Sequence, residues 1–339
     1  MIKHLLSTNK NAYKANLHCH TTVSDGRKTP EEVKELYMKL GYSIVAFTDH
    51  DVFIPHNDLT DDNFLALNGY EMEINEDKDE DYPYIKTCHM CFIALEPDNF
   101  IQCCWHRNKY LLGNARNYRE TVKFDKALPD FEREYNGECI SDMMHKGRDG
   151  GFFVTYNHPT WSKETYREYM TYSGMHAIEM FNGSCNCSGF DEYNPRVYDD
   201  ILSSGKRIYC IGADDNHNSC PDGSRRSDSG WAYTVIFAES LDYRTVTEAL
   251  EAGDFYASEG PEIYSLTYED GKVHIRCSDA DRINCNFCSR HIGTALSEGD
   301  GTVNEAEFTI PEKCGYFRIT IIDKSGKRAC TNAYFVDEQ

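Results

Sequence analysis

The chain has 339 residues, and its composition excludes several classes of protein. Hydrophobic residues make up 40% and aromatic residues 13%, which is enough apolar surface for a packed core and excludes a disordered chain. The 35 Lys and Arg stand against 56 Asp and Glu, and the resulting formal charge of -21 would repel a phosphate polymer, so we expect no binding to long nucleic acid. No apolar run reaches the roughly 20 residues that cross a bilayer, and residues 1–10 lack a signal-peptide pattern. We therefore expect a soluble cytoplasmic protein that makes no membrane contact.

The 15 cysteines are an odd number in a long chain, which predicts reduced thiols rather than a small disulfide scaffold. Two CxxC pairs occur, Cys88/Cys91 and Cys285/Cys288. A structural zinc site would require both pairs to meet in space, and ordinary buried thiols are the alternative.

From about residue 15 to 255, short apolar runs alternate with polar breaks and amphipathic helices, which is the pattern of an α/β fold. Several runs are continuously apolar, as expected for a parallel sheet covered by helices. We expect a closed or nearly closed α/β barrel with its functional site at the carboxyl ends of the strands. The predicted strands are Ala15–His18, Ser43–Phe47, Phe64–Leu67, His89–Leu95, Phe152–Tyr156, Ala177–Phe181, Ile208–Ile211 and Ala232–Phe237.

The clearest predicted helix begins after Thr29, where Thr29 and Glu32 form a capping box around Pro30, and it ends at Gly41. Further helices are predicted from Pro195 to about 205 and from about 240 to 253. Residues 98–149 interrupt the alternation with a polar, aromatic stretch and a helix near 140–145. This stretch is either an insertion over the mouth of the barrel or a peripheral helical decoration.

After residue 260 the pattern changes to short alternating runs separated by turn residues. Val273, Ile275 and Cys277 form one such run, and Phe317, Ile319 and Ile321 form another. We therefore predict two domains, a hydrolase barrel over residues 1–260 and a small β-sandwich over residues 261–339.

Histidines and acids recur after six successive apolar runs. His18 and His20 are alternate residues of one strand and so point to the same side, which suits a shared metal ion. The other polar positions stand near the ends or starts of later strands, where a barrel places its active site. They are Asp25, Thr48-Asp49-His50, Gly69-x-Glu71, His89, Asn157-His158-Pro159 and Asp215-x-His217.

Together these motifs resemble the polymerase-and-histidinol-phosphatase (PHP) family of metal-dependent phosphoesterases over residues 15–260. The junction 253–261 further resembles a branch in which a small β domain follows the barrel. The resemblance implies a distorted (β/α)7 TIM-like barrel that holds two or three divalent ions. Carried over residue by residue, it assigns one ion to His18, His20, Glu71 and Asp215, a second to Glu71, His89 and His158, and a third to Asp25, His50 and His217.

Imidazoles and carboxylates of this kind suit zinc, manganese or iron. Three divalent ions would bring six positive charges against three carboxylates, so the pocket would attract a phosphate despite the acidic chain. We expect hydrolysis of a small phosphoester, such as a nucleotide or sugar phosphate, by a metal-activated hydroxide. Asp49, Glu71 and His158 are the candidate catalytic residues, and the alternative role for Asp49 is to orient a ligand. Candidate substrate contacts are Arg27, Arg196, Arg225 and Arg226.

Several alternatives stay open at the level of the sequence. A metal-bound hydroxide also attacks carbonyl carbon, so an amidohydrolase-type reaction is the second hypothesis, and an inert metal-binding module is the third. Glu179 is a charge in an apolar strand that either faces the cavity or pairs with a base. Cys91 lies two residues after His89, so it either shares that face or is a buried thiol. The substrate and the oligomeric state are not predicted.

Overall fold

The computed structural model describes residues 2–338 as a mixed α/β fold with large sheets and few helices. The strands before residue 260 are β1 (Lys3–His4), β2 (Asn11–Asn16), β3 (Ile44–Phe47), β4 (Leu65–Asn75), β5 (Thr87–Ala94), β6 (Phe152–Asn157), β7 (Ala177–Asn182), β8 (Tyr209–Ala213), β9 (Tyr233–Ala238) and β10 (Phe255–Ser258). The helices are α1 (Pro30–Lys39), α2 (Gly137–Asp149), α3 (Tyr166–Tyr169), α4 (Gly183–Ser188), α5 (Pro195–Ser203) and α6 (Tyr243–Ala252). Short 3-10 helices cover Asn57–Leu59, Gly113–Thr121 and Val336–Glu338. All eight predicted strands and the four predicted helices are present.

Helix α1 begins where its sequence predicts. The Thr29 side chain accepts from the Glu32 amide, and the Glu32 carboxylate accepts from the Thr29 amide, so both ends of the capping box are formed. Val33 and Tyr37 are buried against the sheet. Gly41 follows the helix with φ of +80°, the left-handed conformation that glycine adopts without steric cost.

The main sheet joins the strands in the order β9-β2-β3-β4-β5-β6-β7-β8. The continuous apolar runs predict a parallel sheet, but the sheet is mixed. Strand β5 runs antiparallel to both β4 and β6, and β9 runs antiparallel to β2. No ladder joins β8 back to β2 among the described strands, so a closed barrel is not confirmed. The loops after β2 and β8 nevertheless meet, since the Asp215 amide donates to the His18 carbonyl (2.9 Å) and the His20 amide to the Asn216 carbonyl (3.1 Å).

The segment at 98–149 has two parts with different neighbours. Helix α2 packs beside β5 and β6, and it buries Ile140, Met143 and Met144 in the apolar core. Ahead of it, the chain near Asn114 crosses the loop that carries Asp25, with the Asn114 amide donating to the Ser24 carbonyl (2.8 Å). The segment thus contributes both a peripheral helix and a piece of the cavity wall.

The strands after residue 260 are β11 (Ile263–Glu269), β12 (Lys272–Ala280), β13 (Arg282–Phe287), β14 (Ile292–Leu296), β15 (Val303–Thr309), β16 (Tyr316–Ile322), β17 (Arg328–Thr331) and β18 (Tyr334–Phe335). Strands β1, β11, β12 and β15 form one sheet, whereas β14, β13, β16 and β17 continue the main sheet through the pairing of β17 with β10. The two predicted alternating runs, on β12 and β16, are buried in one apolar cluster that draws on both sheets. The sheet therefore runs without a break across residue 260.

All 15 cysteines are free thiols. The two CxxC pairs do not meet at a shared metal site, because no group of possible metal ligands within residues 2–338 contains members of both. None of the helices in that range is both long and apolar enough to span a membrane.

Candidate metal centre

The structure brings all nine sequence-predicted metal ligands together at one end of the main sheet. They come from the loops after β2, β3, β6 and β8 and from within β4 and β5. Their imidazoles and carboxylates form overlapping groups in which the donor atoms lie within 4.8 Å of one another or are joined by contacts below 4 Å. The nine residues are His18, His20, Asp25, His50, Glu71, His89, His158, Asp215 and His217.

Glu71 lies at the centre of this cluster. Its Oε1 is 3.1 Å from His18 Nε2, 3.2 Å from His89 Nδ1 and 3.5 Å from His158 Nε2. Its Oε2 is 3.2 Å from His50 Nδ1 and 3.4 Å from His20 Nε2. One fully buried carboxylate therefore touches five imidazoles, an arrangement suited to a carboxylate that bridges two cations.

Asp215 occupies a second side of the cluster. Its Oδ1 is 3.1 Å from His20 Nε2 and 3.2 Å from His18 Nε2. Both Asp215 and His158 follow their strands with positive φ, +53° and +26°, where a side chain other than glycine is strained by about 1–3 kcal/mol. The strained backbone aims each side chain back over the end of its own strand, toward Glu71.

A third group combines His20, Asp25, His50 and His217 near the mouth of the cavity. Asp25 is the most exposed of the carboxylates, and its Oδ2 lies 3.5 Å from His217 Nε2 and 3.9 Å from His50 Nε2. This group contains the three residues that the resemblance assigns to a third ion, with His20 added.

The donor set fits divalent metal ions. His20 Nδ1, His50 Nδ1 and both ring nitrogens of His89 are buried and make no hydrogen bond of good geometry, although His50 Nδ1 and His89 Nδ1 each lie 3.2 Å from an oxygen of Glu71. Each unsatisfied buried group of this kind costs about 1–3 kcal/mol, so a protein does not collect several in one place without a compensating ligand. A divalent cation accepts the lone pairs of imidazoles and carboxylates together, so it would satisfy these groups at once.

The charges within the cluster shift the pKa values of its residues. Burial alone would raise the pKa of Glu71, but His18, His89 and His50 hold it well below its ordinary value. Burial and then the neighbouring His20 lower the pKa of His50 to about 3. Glu71 is therefore charged and His50 neutral. Burial lowers the pKa of His18, His20 and His158, but the neighbouring carboxylates outweigh it and raise the pKa, to about 9 for His158, so a metal ion that binds there displaces protons.

The strand register explains why Glu71 and His89 face each other. Glu71 lies inside β4, which continues to Asn75, rather than in a loop after the predicted strand. Across the antiparallel ladder, Glu71 stands opposite Cys91, and Glu73 stands opposite His89. Alternate residues of a strand share a face, so Glu71 and His89 project into the same cavity from adjacent strands.

Asp49 does not line the cavity. Its carboxylate accepts from the amide and hydroxyl of Thr21 (both 2.8 Å) and from the amide and hydroxyl of Ser24 (3.1 and 2.6 Å). These bonds fix the loop that carries Asp25. Asp49 is not among the residues that line the cavity, so its predicted catalytic role has no contact to support it. Its hydrogen bonds fit the alternative role, in which it orients the loop that carries Asp25.

Two residues outside the predicted ligand set hold ligands in place. Glu179 Oε1 is 2.7 Å from His18 Nδ1, and its Oε2 accepts from the His158 amide (2.9 Å). Asn157 Nδ2 donates to Glu71 Oε1 (2.9 Å). The charge of Glu179 inside an apolar strand is a sequence feature that indicates such a contact with a ligand. Asn157 is adjacent to His158 in the sequence, but nothing in the sequence indicates its contact with Glu71.

A cavity of about 380 Å³ opens directly above the cluster. Trp161 packs edge-on against His89 and His158, with ring centroids 5.4 and 5.0 Å apart. Seven of the predicted ligands line the cavity, all except His18 and His20. The other lining residues are Glu73, Tyr82, Leu112, Trp161, Ser184, Cys185 and Ser188. No Lys or Arg of the described chain is among its lining residues.

The four arginines expected to contact substrate lie outside this cavity. Arg196 is 83% exposed on α5 and pairs with Asp200. Arg27 and Arg225 are exposed and do not line it. Arg226 comes nearest, because it lines an adjoining cavity of about 400 Å³ that shares Ser184, Ser188 and His217 with the first.

Comparison with known proteins gives structural neighbours only. No protein-family model matches the chain, and no curated protein matches its sequence. One similar solved structure is a two-domain protein from Bacteroides vulgatus containing a predicted PHP-like metal-dependent phosphoesterase; it has 15% identity and a TM-score of 0.47, and the match covers 98% of this chain and 96% of that one.

Two further structures cover less of this chain. One is a metal-dependent phosphoesterase by prediction, from Bifidobacterium adolescentis, with 15% identity and a TM-score of 0.40 over 63% of this chain and 91% of that one. The other is an amidohydrolase from Chromobacterium violaceum with bound sulfate and no metal, with 15% identity and a TM-score of 0.37 over 60% and 87%. The neighbour described as containing a predicted PHP-like phosphoesterase is of the family that the sequence motifs resemble.

Proposed function

We propose that this chain is a metal-dependent hydrolase that cleaves a small phosphoester. The observation that carries the proposal is the convergence of six imidazoles and three carboxylates, from distant parts of the chain, on one cluster, seven members of which line a single cavity. Unpartnered buried nitrogens within that set support metal binding rather than a network of hydrogen bonds. PHP membership, inferred from the motifs, supports phosphoesters as the substrate class.

The nine predicted ligands would hold two or three ions of zinc, manganese or iron, with Glu71 shared between ions. Bound divalent ions would supply Lewis-acid polarisation of a phosphoryl oxygen and a lowered pKa for water. Glu179 fixes the orientation of His18 through Nδ1, so the opposite nitrogen faces Glu71 and Asp215. Asn157 donates to one oxygen of Glu71, and Trp161 packs edge-on against His89 and His158.

The charge of the cavity makes a strong prediction about substrate binding. Asp25, Glu71 and Asp215 line it, and no Lys or Arg does so in the described chain. Without cations this cavity repels a phosphate, so metal ions are needed for substrate binding as well as for turnover. We propose Glu71 and His158 as catalytic residues, and Arg226, from the adjoining cavity, as the arginine best placed to reach a larger substrate.

The test is a phosphate-release screen on sugar phosphates, nucleotides and amino-alcohol phosphates, with zinc, manganese or iron, with and without chelator. Glu71→Gln removes the central charge, and Glu164→Gln is the matched control, because Glu164 is a buried carboxylate that contacts tyrosines away from the cavity. The proposal expects release by wild type and control, loss with chelator and loss in Glu71→Gln. Metal-loaded wild type that releases no phosphate from any compound contradicts it, as does release that chelator leaves unchanged.

An amidohydrolase-type reaction is the second candidate. The observation that favours it is the lack of a Lys or Arg in the lining of the cavity, since a carbonyl substrate needs no cationic clamp. A parallel screen of small amides and lactones, scored by release of carboxylic acid, separates the two. Chelator-sensitive product here, with no phosphate released from the phosphoesters, selects this candidate.

We also propose the finer architecture and setting that accompany this function. The sheet β9-β2-β3-β4-β5-β6-β7-β8, whose end loops meet, supports a distorted (β/α)7 barrel over residues 1–260. The shared apolar cluster of the two C-terminal sheets supports a β-sandwich over residues 261–339. Fifteen free thiols support a reducing compartment such as the cytoplasm, and the negative charge supports a small phosphorylated substrate rather than long nucleic acid or membrane.

A further inference from the structure

We propose that the thiolate of Cys91 is itself a ligand of the buried metal ion beside His18 and Glu71. This inference rests on the proposed metal centre and adds a soft sulfur ligand to its imidazoles and carboxylates. It concerns which metal the centre selects.

The strand register places Cys91 at the floor of the cluster. On β5, alternate residues share a face, so Cys91 projects on the same side as His89. Cys91 is paired directly with Glu71 across the antiparallel ladder. Cys91 Sγ, a ring nitrogen of His18 and a carboxylate oxygen of Glu71 all lie within 4.8 Å of one another. Three donors from three strands or strand ends thus surround one point.

The surroundings of Cys91 are polar, unlike those of a thiol that merely fills space. Its Sγ accepts a hydrogen bond from Asn157 Nδ2 at 3.1 Å, and the same nitrogen donates to Glu71 Oε1 at 2.9 Å. Cys91 is fully buried, yet it belongs to none of the apolar clusters of the described chain. Cys88, on the opposite face of β5, packs in the largest of them. The two thiols of this CxxC pair therefore have different environments.

A second observation points to a ligand at the same place. Both ring nitrogens of His89, two residues before Cys91, are buried and make no hydrogen bond of good geometry, although His89 Nδ1 lies 3.2 Å from Glu71 Oε1. The ring nitrogens of His89 thus lie beside the same Glu71 carboxylate that Cys91 faces. A cation held there is within reach of nitrogen, oxygen and sulfur together.

A sulfur ligand changes the metal preference of the centre. Thiolate binds zinc and ferrous iron more strongly than manganese or magnesium, whereas carboxylate and imidazole alone discriminate less. On binding, the ion replaces the thiol proton, which leaves to water, and no oxidant or reductant is needed. We therefore expect the ion beside His18 to be zinc or iron in the protein as it is made.

The experiment uses the full chain loaded with cobalt(II), whose bond to a thiolate gives a near-ultraviolet charge-transfer band. Wild type and Cys88→Ala should show the band, because Cys88 lies on the other face of β5. Cys91→Ala should lose the band yet still bind cobalt through the remaining ligands. In competition experiments, the variant should lose about 10-fold or more of the preference for zinc over manganese.

The outcomes separate this inference from the proposed function. Cobalt bound to wild type without the charge-transfer band overturns the thiolate ligand and leaves the metal centre standing, as does a band that survives in Cys91→Ala. Wild type that binds no cobalt overturns both. If Cys91→Ala fails to fold, X-ray absorption of zinc-loaded wild type decides alone: a sulfur neighbour at about 2.3 Å supports the inference, and a shell of nitrogen and oxygen only overturns it.

Discussion

Replacing Glu179 by Gln should weaken metal binding without unfolding the protein. Glu179 Oε2 accepts from the His158 amide and from Asn182 Nδ2, both at 2.9 Å, while Oε1 faces His18 Nδ1 at 2.7 Å. In Glu179→Gln the carbonyl oxygen keeps the two amide donors, so the amide nitrogen turns toward His18. That nitrogen donates, and it drives the His18 proton from Nδ1 to Nε2, the nitrogen that faces Glu71.

The magnitude follows from the contact that is lost. To bind a cation through Nε2, His18 of the variant must carry its proton on Nδ1, where it faces the N–H donor of the new amide. The variant thereby loses one charge-assisted hydrogen bond, which is worth about 1.5–3 kcal/mol. We therefore expect the dissociation constant for zinc or manganese to rise by roughly 10- to 100-fold, within the range typical of such supporting carboxylates.

The assay is isothermal titration of metal-free protein with zinc and with manganese, alongside thermal unfolding of both metal-free proteins. Glu164→Gln is the control, because it alters another buried carboxylate, whose partners are tyrosine hydroxyls, and it should bind metal as wild type does. Wild-type metal affinity in Glu179→Gln would refute the reasoning. So would an equal loss of affinity in the control.

Three further predictions concern stability. Burial raises the pKa of Glu164 to about 7 from an ordinary 4.5 although tyrosine hydroxyls donate to it, so the native state holds this proton more tightly than the unfolded chain. The contribution of Glu164 to the free energy of unfolding is therefore fully present below pH 4.5 and is lost as the pH rises through about 7. Urea unfolding should show a loss of up to about 3 kcal/mol relative to Glu164→Gln over this range, and parallel pH profiles of the two proteins would contradict this. Gly147→Ala places a Cβ into the ring of Phe92 and should cost about 1–3 kcal/mol, and a change below about 0.5 kcal/mol would show that α2 moves aside freely. Asp199→Ala leaves the buried Arg318 guanidinium without its two-point partner (2.9 and 2.7 Å) and should cost about 3–5 kcal/mol, whereas a neutral result would mean that water replaces the carboxylate.

The predicted strands and ligands follow from local patterns, and such patterns are visible in the sequence. Apolar runs define β3 and β6. The prediction that His18 and His20 are alternate residues of one strand is wrong, because β2 ends at Asn16 and the loop after it brings both imidazoles to the cluster. The capping box at Thr29 is equally local, which is why α1 begins where expected.

What the sequence does not show is long-range pairing. The antiparallel register of β4 with β5 sets Cys91 opposite Glu71, and no single-strand pattern encodes which residues face each other across a ladder. Asn157 reaches Glu71 from 86 positions away in the chain for the same reason. Asp49 has the sequence context of a ligand, yet its carboxylate accepts hydrogen bonds from Thr21 and Ser24. The conformation of the loop determines this contact, and the local sequence does not show it.

Anomalous diffraction from crystals of the metal-loaded protein, recorded across the zinc, iron and manganese absorption edges, tests the central claim most directly. We predict two or three anomalous peaks within the nine-residue cluster, with one peak in contact with His18, Glu71 and Asp215 and a second in contact with Glu71 and His89. Crystals grown and soaked with these metals that show no peak beside Glu71, with the imidazoles bonded only to one another and to water, would contradict the account.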